Sequence, residues 1–483
     1  MSKRFNNVIW HPFLFAVYSI LFMYTYNIKE VRFIYTLLPI LIHLIVVFLL
    51  WRGVNVIVKN NEKAALITTL FLFFFFVYSH VYDALEIVNS IFSVTLVRNL
   101  YLVPLFLALW FFLSYRTARA KMEFKVLTKI LNIAAVCLIG INLVNIAFFE
   151  LNQISAANRV KEQLASVEIK SNGLPDKRDM PDIYHIVLDE YAGLEAVKKI
   201  YNYDNSGFAE ALRKRGFYVA EKSETLYKLT EASMASTLNM RRLREGEDPY
   251  QLLRNNAVTA ILKKLGYKVI VFPFNMQTVF VHSDMVPVYY KSAKGTMIND
   301  FHLFILNNSM LRFVHDILMK QSNFSDYYRN QTLHILETLK TVPGMEGPTF
   351  VYAHVDCPHF PFVFDENGGE VDPAHINDIR DRKYYLGQYK YISKKIIELV
   401  DILLARSAKP PVIVIQSDHG QRGGAPGNGK FRMDVGDTWK NILNTYYLPG
   451  VDTGILNDSM SPVETYPLIL KTYFKIEDVG SGE

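Results

Sequence analysis

Cysteine is nearly missing from this chain. The 483 residues contain two, Cys137 and Cys357, one in an apolar run and one in a polar half, so they are not a pair. No disulfide framework is available, and any domain outside the cytoplasm must rely on its own core. Internal repeats and low-complexity tracts are also absent, which argues against a solenoid or a fibrous protein. The net charge of +6 comes largely from short loops in the first third, and no basic stripe marks a nucleic-acid footprint. Within the first 150 residues what is scarce is charge itself. Apolar runs cover about 8–27, 31–51, 64–82, 99–115 and 127–149, each near the ~20 residues that cross a bilayer as helix.

The loops between these runs differ in cations. The side holding the N-terminus carries Lys3, Arg4, Arg52, Lys59, Lys63, Arg116, Arg119, Lys121, Lys125 and Lys129; the other carries Lys29, Arg32 and Arg98. The excess predicts a cytoplasmic N-terminus. Five spans then place everything after residue 150 outside the cytoplasm, in a multi-pass protein of the cytoplasmic membrane. No small-residue cleavage site follows the first run, so it reads as an anchor.

The expected division is a transmembrane domain over 1–150, a linker helix and loop over 151–180, and an extracytoplasmic domain over 181–483. The linker ends in "NGLPDKRDMP", rich in breakers. Beyond it, strand candidates at 183–188, 268–273, 349–355 and 412–416 alternate with helical patterns at 207–215, 255–265, 325–340 and 385–406. That alternation predicts an α/β domain with a mostly parallel central sheet, whose chemistry gathers at the carboxyl ends of its strands.

Three strand candidates end in polar clusters: "HIVLDEYAG" with Asp189 and Glu190, "VYAHVDCPHFPF" with His354, Asp356 and His359, and "VIVIQSDHGQR" with Asp418 and His419. Carboxylate oxygen and imidazole nitrogen are the ligand set of a zinc- or manganese-like ion. Gly420 is expected to free the backbone there. A fourth stretch, "LYKLTEASMAS", puts Thr230 at the start of a probable helix. Local evidence leaves two readings, a plain N-cap or a hydroxyl placed where a helix N-terminus favours phosphate and alkoxide.

Taken together and in this order, the pieces resemble the alkaline phosphatase/sulfatase superfamily, and within it the membrane-bound lipoteichoic acid synthases and lipid A phosphoethanolamine transferases. The resemblance implies five N-terminal spans followed by a sulfatase-like domain. It implies a divalent cation, Zn or Mn first, with Mg or Ca also acceptable, held by Asp189, Thr230, Asp418 and His419. Glu190 and His354 are further candidates for that ion or its surround. "TEAS" makes Thr230 the nucleophile, followed by Ser233, and "HVDCPHFP" makes His359 the substrate-phosphate or metal-contacting histidine.

The chain also departs from the family. The C/S-x-P-x-R signature of formylglycine sulfatases is missing, which argues against sulfate hydrolysis by that route. The transferases' "DHGE" is here "DHGQ", with no histidine following. Arg422, Lys430 and Arg432 are the cations of that loop, and Arg422 and Lys430 are the candidate phosphate binders. The leading expectation is an envelope phosphotransferase acting on a membrane lipid or glycan through a phospho-threonine. The alternatives are a phosphate- or sulfate-ester hydrolase and a non-catalytic domain binding glycan or protein. His185 reads as structural, and Tyr289 and Tyr290 as packing.

Overall fold

The computed structural model describes residues 8–28, 31, 33–92, 99–166, 176–273, 278–287, 300–321, 324–372, 375–376, 382–422 and 436–476. Tyr289, Tyr290, Lys430 and Arg432 lie outside them. The chain forms two compact units, one of residues 1–152 with 292–322, the other of 153–291 with 323–483.

The first unit contains helices α1 (His11–Tyr26), α2 (Ile34–Val58), α3 (Asn61–Phe92), α4 (Asn99–Arg119) and the start of α5 (Lys125–Ser166). Four stretches, Ile34–Val58, Asn61–Leu85, Asn99–Arg119 and Lys125–Asn152, are long and apolar enough to cross a membrane. The first apolar run falls short of that. Its helix has 16 residues, about 24 Å at ~1.5 Å per residue, against a hydrocarbon core of ~30 Å. Pro39 and Pro104 sit inside helices, which packed transmembrane helices tolerate.

The second unit runs β1 (Ile183–Leu188), α6 (Leu194–Tyr201), α7 (Ser206–Arg213), β2 (Tyr218–Val219), α8 (Thr230–Leu238), α9 (Pro249–Arg254), α10 (Ala257–Lys264) and β3 (Lys268–Phe272). The chain then contributes α11 (Asp300–Asn307) and α12 (Arg312–Gln321) to the first unit. It resumes with α13 (Phe324–Leu339), β4 (Thr349–Val355), α14 (Arg382–Arg406), β5 (Val412–Ser417), β6 (Asn444–Tyr447) and α15 (Thr465–Phe474).

The sheet order is β2-β6-β5-β1-β4-β3. The four strands expected from sequence form its parallel part, and β6 and β2 add antiparallel pairings at one edge. Every residue of β1, β4 and β5 is buried, as parallel strands covered on both faces require. Alternation along β1 divides the core. Tyr184, Ile186 and Leu188 face the α6–α7–α14 layer; Ile183 and Val187 face α8, α10 and α15. His185 shares that second face, between the Tyr466 hydroxyl and the Gln416 side chain, as a hydrogen-bonded core residue.

Candidate metal and phosphoryl-transfer site

Register assembles the site. β1 lies between β4 and β5, and Leu188 pairs with both Val355 and Ser417. The next residue of each strand is an aspartate, so Asp356, Asp189 and Asp418 leave the sheet at one level. Three carboxylates converge because three strands end in step.

Asp418 is the most firmly held. Its Oδ1 accepts the backbone N–H groups of His419 (2.8 Å) and Glu190 (3.1 Å). Its main-chain oxygen accepts the hydroxyls of Ser233 (2.6 Å) and Thr225 (2.9 Å). Its Oδ2 is left to accept the Thr230 hydroxyl at 2.6 Å. Thr230 is therefore not an N-cap: Leu229 occupies that position without a side-chain cap, and the Thr230 hydroxyl is drawn across to the sheet. Gly420 is also explained differently from the sequence reading. Its φ is not in the left-handed region; a Cβ there would lie 2.8 Å from the Asn441 carbonyl and 2.9 Å from that of Trp439. The glycine is needed for close approach.

His419 Nδ1 lies 3.0 Å from the Gly420 carbonyl. Donation there leaves Nε2 as a bare lone pair. That Nε2 is 3.2 Å from Asp418 Oδ2 and 3.9 Å from Asp189 Oδ1. Both Nε2 and Asp189 Oδ1 are buried without a hydrogen-bond partner. Uncompensated burial of such atoms is costly, and here they face each other. Asp189, Asp418 and His419 offer ligand atoms within 4.8 Å of one another, with the Thr230 oxygen beside them. An oxygen-rich set with one imidazole fits a divalent cation.

On the β4 side the same carboxylate has a partner. Asp189 Oδ2 meets His354 Nε2 at 3.2 Å, and Asp189, His354 and Asp356 form a second ligand-like trio. Burial would raise the Asp189 carboxyl, but the His359 charge and the His354 hydrogen bond outweigh it and hold the group well below 3.8. Burial likewise disfavours charge on His354 and His359. Asp189, joined for His359 by Glu190, overcomes it and lifts both above 6.5. Burial pushes Asp356 up to about 7.

Glu190, a candidate ligand from sequence, points elsewhere. Its backbone is left-handed at φ 61°, a conformation that costs a non-glycine residue on the order of 1–3 kcal/mol. Its Oε1 accepts the Arg422 N–H at 2.8 Å and lies 3.6 Å from Nε of the same arginine. Its Oε2 is 3.7 Å from His359 Nε2. Arg422 Nη2 lies 3.1 Å from that same nitrogen, and His359 Nδ1 contacts the Phe360 carbonyl. A neutral ring with Nδ1 donating accepts the Arg422 N–H at Nε2; a protonated ring turns an Nε2 donor toward the Glu190 carboxylate instead. The structure thus brings together Asp189, Thr230, Asp418 and His419 on one side, and Glu190, His359 and Arg422 on the other. Sequence reading gave no part to Thr225 or Ser417, whose hydroxyls tie the Asp418–His419 turn; a lone Ser or Thr carries no signal for this.

The Sulfatase family model matches residues 201–448, which take in Thr230, His354, His359, Asp418 and His419 and leave out Asp189. No curated protein sequence matches the chain. Similar solved structures include the zinc complex of the C-terminal periplasmic domain of EcEptC from Escherichia coli, at 16% identity and TM-score 0.41 over 62% of this chain and 86% of that one. The C-terminal periplasmic domain of the phosphoethanolamine transferase EptC from Campylobacter jejuni is 12% identical, TM-score 0.38, over 61% and 90%. The phosphonate monoester hydrolase of Agrobacterium radiobacter is 13% identical, TM-score 0.39, over 62% and 74%. The matched segment is just over half of the chain: it belongs to the Sulfatase family, as a sulfatase-like protein of the alkaline phosphatase superfamily with apolar N-terminal helices.

Proposed function

We propose that this protein is a metal-dependent phosphotransferase of the cell envelope, acting through a covalent phospho-threonine at Thr230. The supporting observation is the Thr230 hydroxyl, 2.6 Å from Asp418 Oδ2 and beside two buried, unpartnered ligand atoms. Asp189, Asp418, His419 and Thr230 would hold the ion. Bound there, a divalent cation supplies Lewis acidity that lowers the hydroxyl pKa and offsets phosphoryl charge.

The chain's own residues do the rest. Asp418 orients the Thr230 hydroxyl and takes its proton. The free N–H groups at the start of α8 face the incoming anion. Thr230 Oγ1 bonds to phosphorus as the bond from phosphorus to the donor's alcohol breaks. Arg422 holds non-reacting phosphoryl oxygens, and Glu190 holds Arg422. His359, protonated, gives its proton to the leaving alkoxide. An acceptor hydroxyl then attacks phosphorus and loses its proton to His359, while the bond from phosphorus to Thr230 Oγ1 breaks and that oxygen takes back the proton held by Asp418. Water in that role would make the enzyme a hydrolase.

In this reading residues 1–150 are the multi-pass membrane domain, 151–180 the linker and 181–483, apart from 300–321, the catalytic part; with all five apolar runs crossing, the cation bias of the loops supports a catalytic part outside the cytoplasm. The donor is a membrane lipid or envelope glycan. The deciding experiment is mass spectrometry of the 223–240 peptide from protein isolated after exposure to envelope lipid. An adduct on Thr230 is expected, its mass naming the group. An adduct on another residue, or none during demonstrable turnover, removes Thr230 from the chemistry.

A further inference from the structure

Residues 300–321, between β3 and α13, belong with the helical bundle and not with the sheet. Phe301 and Ile305 of α11 are buried against Ile20, Met23 and Tyr24 of α1, with Tyr35, Phe76 and Ile146 packed around them. Three residues past α11, Met310 is buried among Phe74, Tyr78, Leu102 and Phe106, and its N–H donates to the Phe75 carbonyl at 2.8 Å. The Arg312 guanidinium pairs with Asp83 and lies over the Tyr82 ring.

These contacts give the segment a depth. Measured from Asn61 along α3, Phe75 stands about 21 Å up and Asp83 about 33 Å, at ~1.5 Å per residue. The apolar contacts therefore fall inside a ~30 Å hydrocarbon layer and the ion pair at its edge. Beyond Ile154, exposed large apolar side chains are few among the described residues. Three of them, Leu311, Phe313 and Ile317, fall within one short stretch. Phe313 and Ile317 are one turn apart on α12, 38% and 48% exposed. They belong to the same unit as the apolar helices, on which large apolar side chains such as Leu41 and Phe111 are likewise exposed among the described residues.

We infer that α11 and α12 form an interfacial element that enters the lipid leaflet, with the Phe313–Ile317 face of α12 against the acyl chains. The occupant of that face is lipid, because α12 follows directly on Met310, which is buried among the apolar helices, and its Arg312 pairs with Asp83 near the end of the apolar stretch of α3. This makes the membrane contact of the catalytic chain a property of its own sequence, independent of the chemistry at Thr230.

The test uses the full chain with Cys137→Ala, in phospholipid nanodiscs, carrying a nitroxide at Ile317→Cys and, separately, at Phe313→Cys. Cys357 is buried and stays unlabelled. Accessibility to oxygen above that to a water-soluble nickel complex is expected at both sites, matching Leu41→Cys and opposite to Ile455→Cys. Nickel accessibility at 317 and 313 like that at 455 overturns the inference. Nickel accessibility at 41 as well would overturn it by removing the membrane reading of the bundle.

Discussion

The two sides of the β1 terminus solve opposite problems with one carboxylate. Toward β5, Asp189 Oδ1, Asp418 Oδ2 and His419 Nε2 crowd together with no Lys or Arg paired to them among the described residues, and two of these atoms have no hydrogen bond. Toward β4, the negative groups are matched: Asp189 by His354, Glu190 by Arg422 and His359. Among the described residues, one side has no paired Lys or Arg and the other brings its own. The difference underlies the proposed reading, in which the ion sits on the β5 side and the substrate phosphate on the β4 side.

The largest effect should come from the seam between the halves. Thr230→Ala is expected to lower turnover by about 10⁴-fold or more, the range for removing a nucleophile. Circular dichroism should show an unchanged fold, because the Asp418 main chain keeps its bonds from Ser233 and Thr225. Residual activity near wild type would end the phospho-threonine reading. Next, Asp418→Asn should empty the β5 side. Its amide oxygen can still accept the His419 and Glu190 N–H groups, so folding survives while elemental analysis finds little bound metal. Full metal content in that variant would move the ion elsewhere.

On the β4 side the losses should be smaller and of another kind. Arg422→Ala is expected to cost about 10²–10³-fold in turnover, as for one lost donor to developing charge, with metal content unchanged. Arg422→Lys should recover only part, since a point charge lacks the fork. Loss of metal in Arg422→Ala would break the division. Glu190→Gln, which acts through Arg422 and His359, should cost about tenfold and displace the pH profile of turnover.

The smallest effect is on stability. In metal-free protein, His354 has its pKa raised above 6.5 and Asp189 has its own lowered below 3.8. The histidine contribution is complete below 6.5 and fades as pH rises through the raised value. The aspartate contribution is complete above 3.8 and fades as pH falls through the lowered one. Stability of the metal-free form should therefore be greatest between those values, and His354→Gln should flatten the alkaline decline in thermal scans. Metal affinity should move oppositely, rising with pH as protons leave the cluster.

Much of this was legible in the chain. The four parallel strands announced themselves as apolar runs, three of them stopped by an Asp, and the helices between them by spacing. The edge strands β2 and β6 were harder, being two and four residues long. Thr230 was ambiguous because a cap and a nucleophile occupy the same place at a helix start; only the direction of its hydroxyl separates them. Sequence left Glu190 open between the ion and its surround, because nothing in the chain foretells the left-handed backbone there or the contacts of its carboxylate with Arg422 and His359. The return of 300–321 to the bundle was missed because "FHLFIL" is too short to read as a span, and periodicity does not say which unit a helix packs against.

The register that lines up Asp356, Asp189 and Asp418 also sets a schedule. The residues grouped around Asp189 are spread from position 189 to 419, on strands that neighbour in space and not in order. A nascent chain cannot present the complete set until β5 has been made and has slotted beside β1. In the proposed reading, metal loading is thus deferred to the compartment where this domain finishes folding, and the ion captured is one available there.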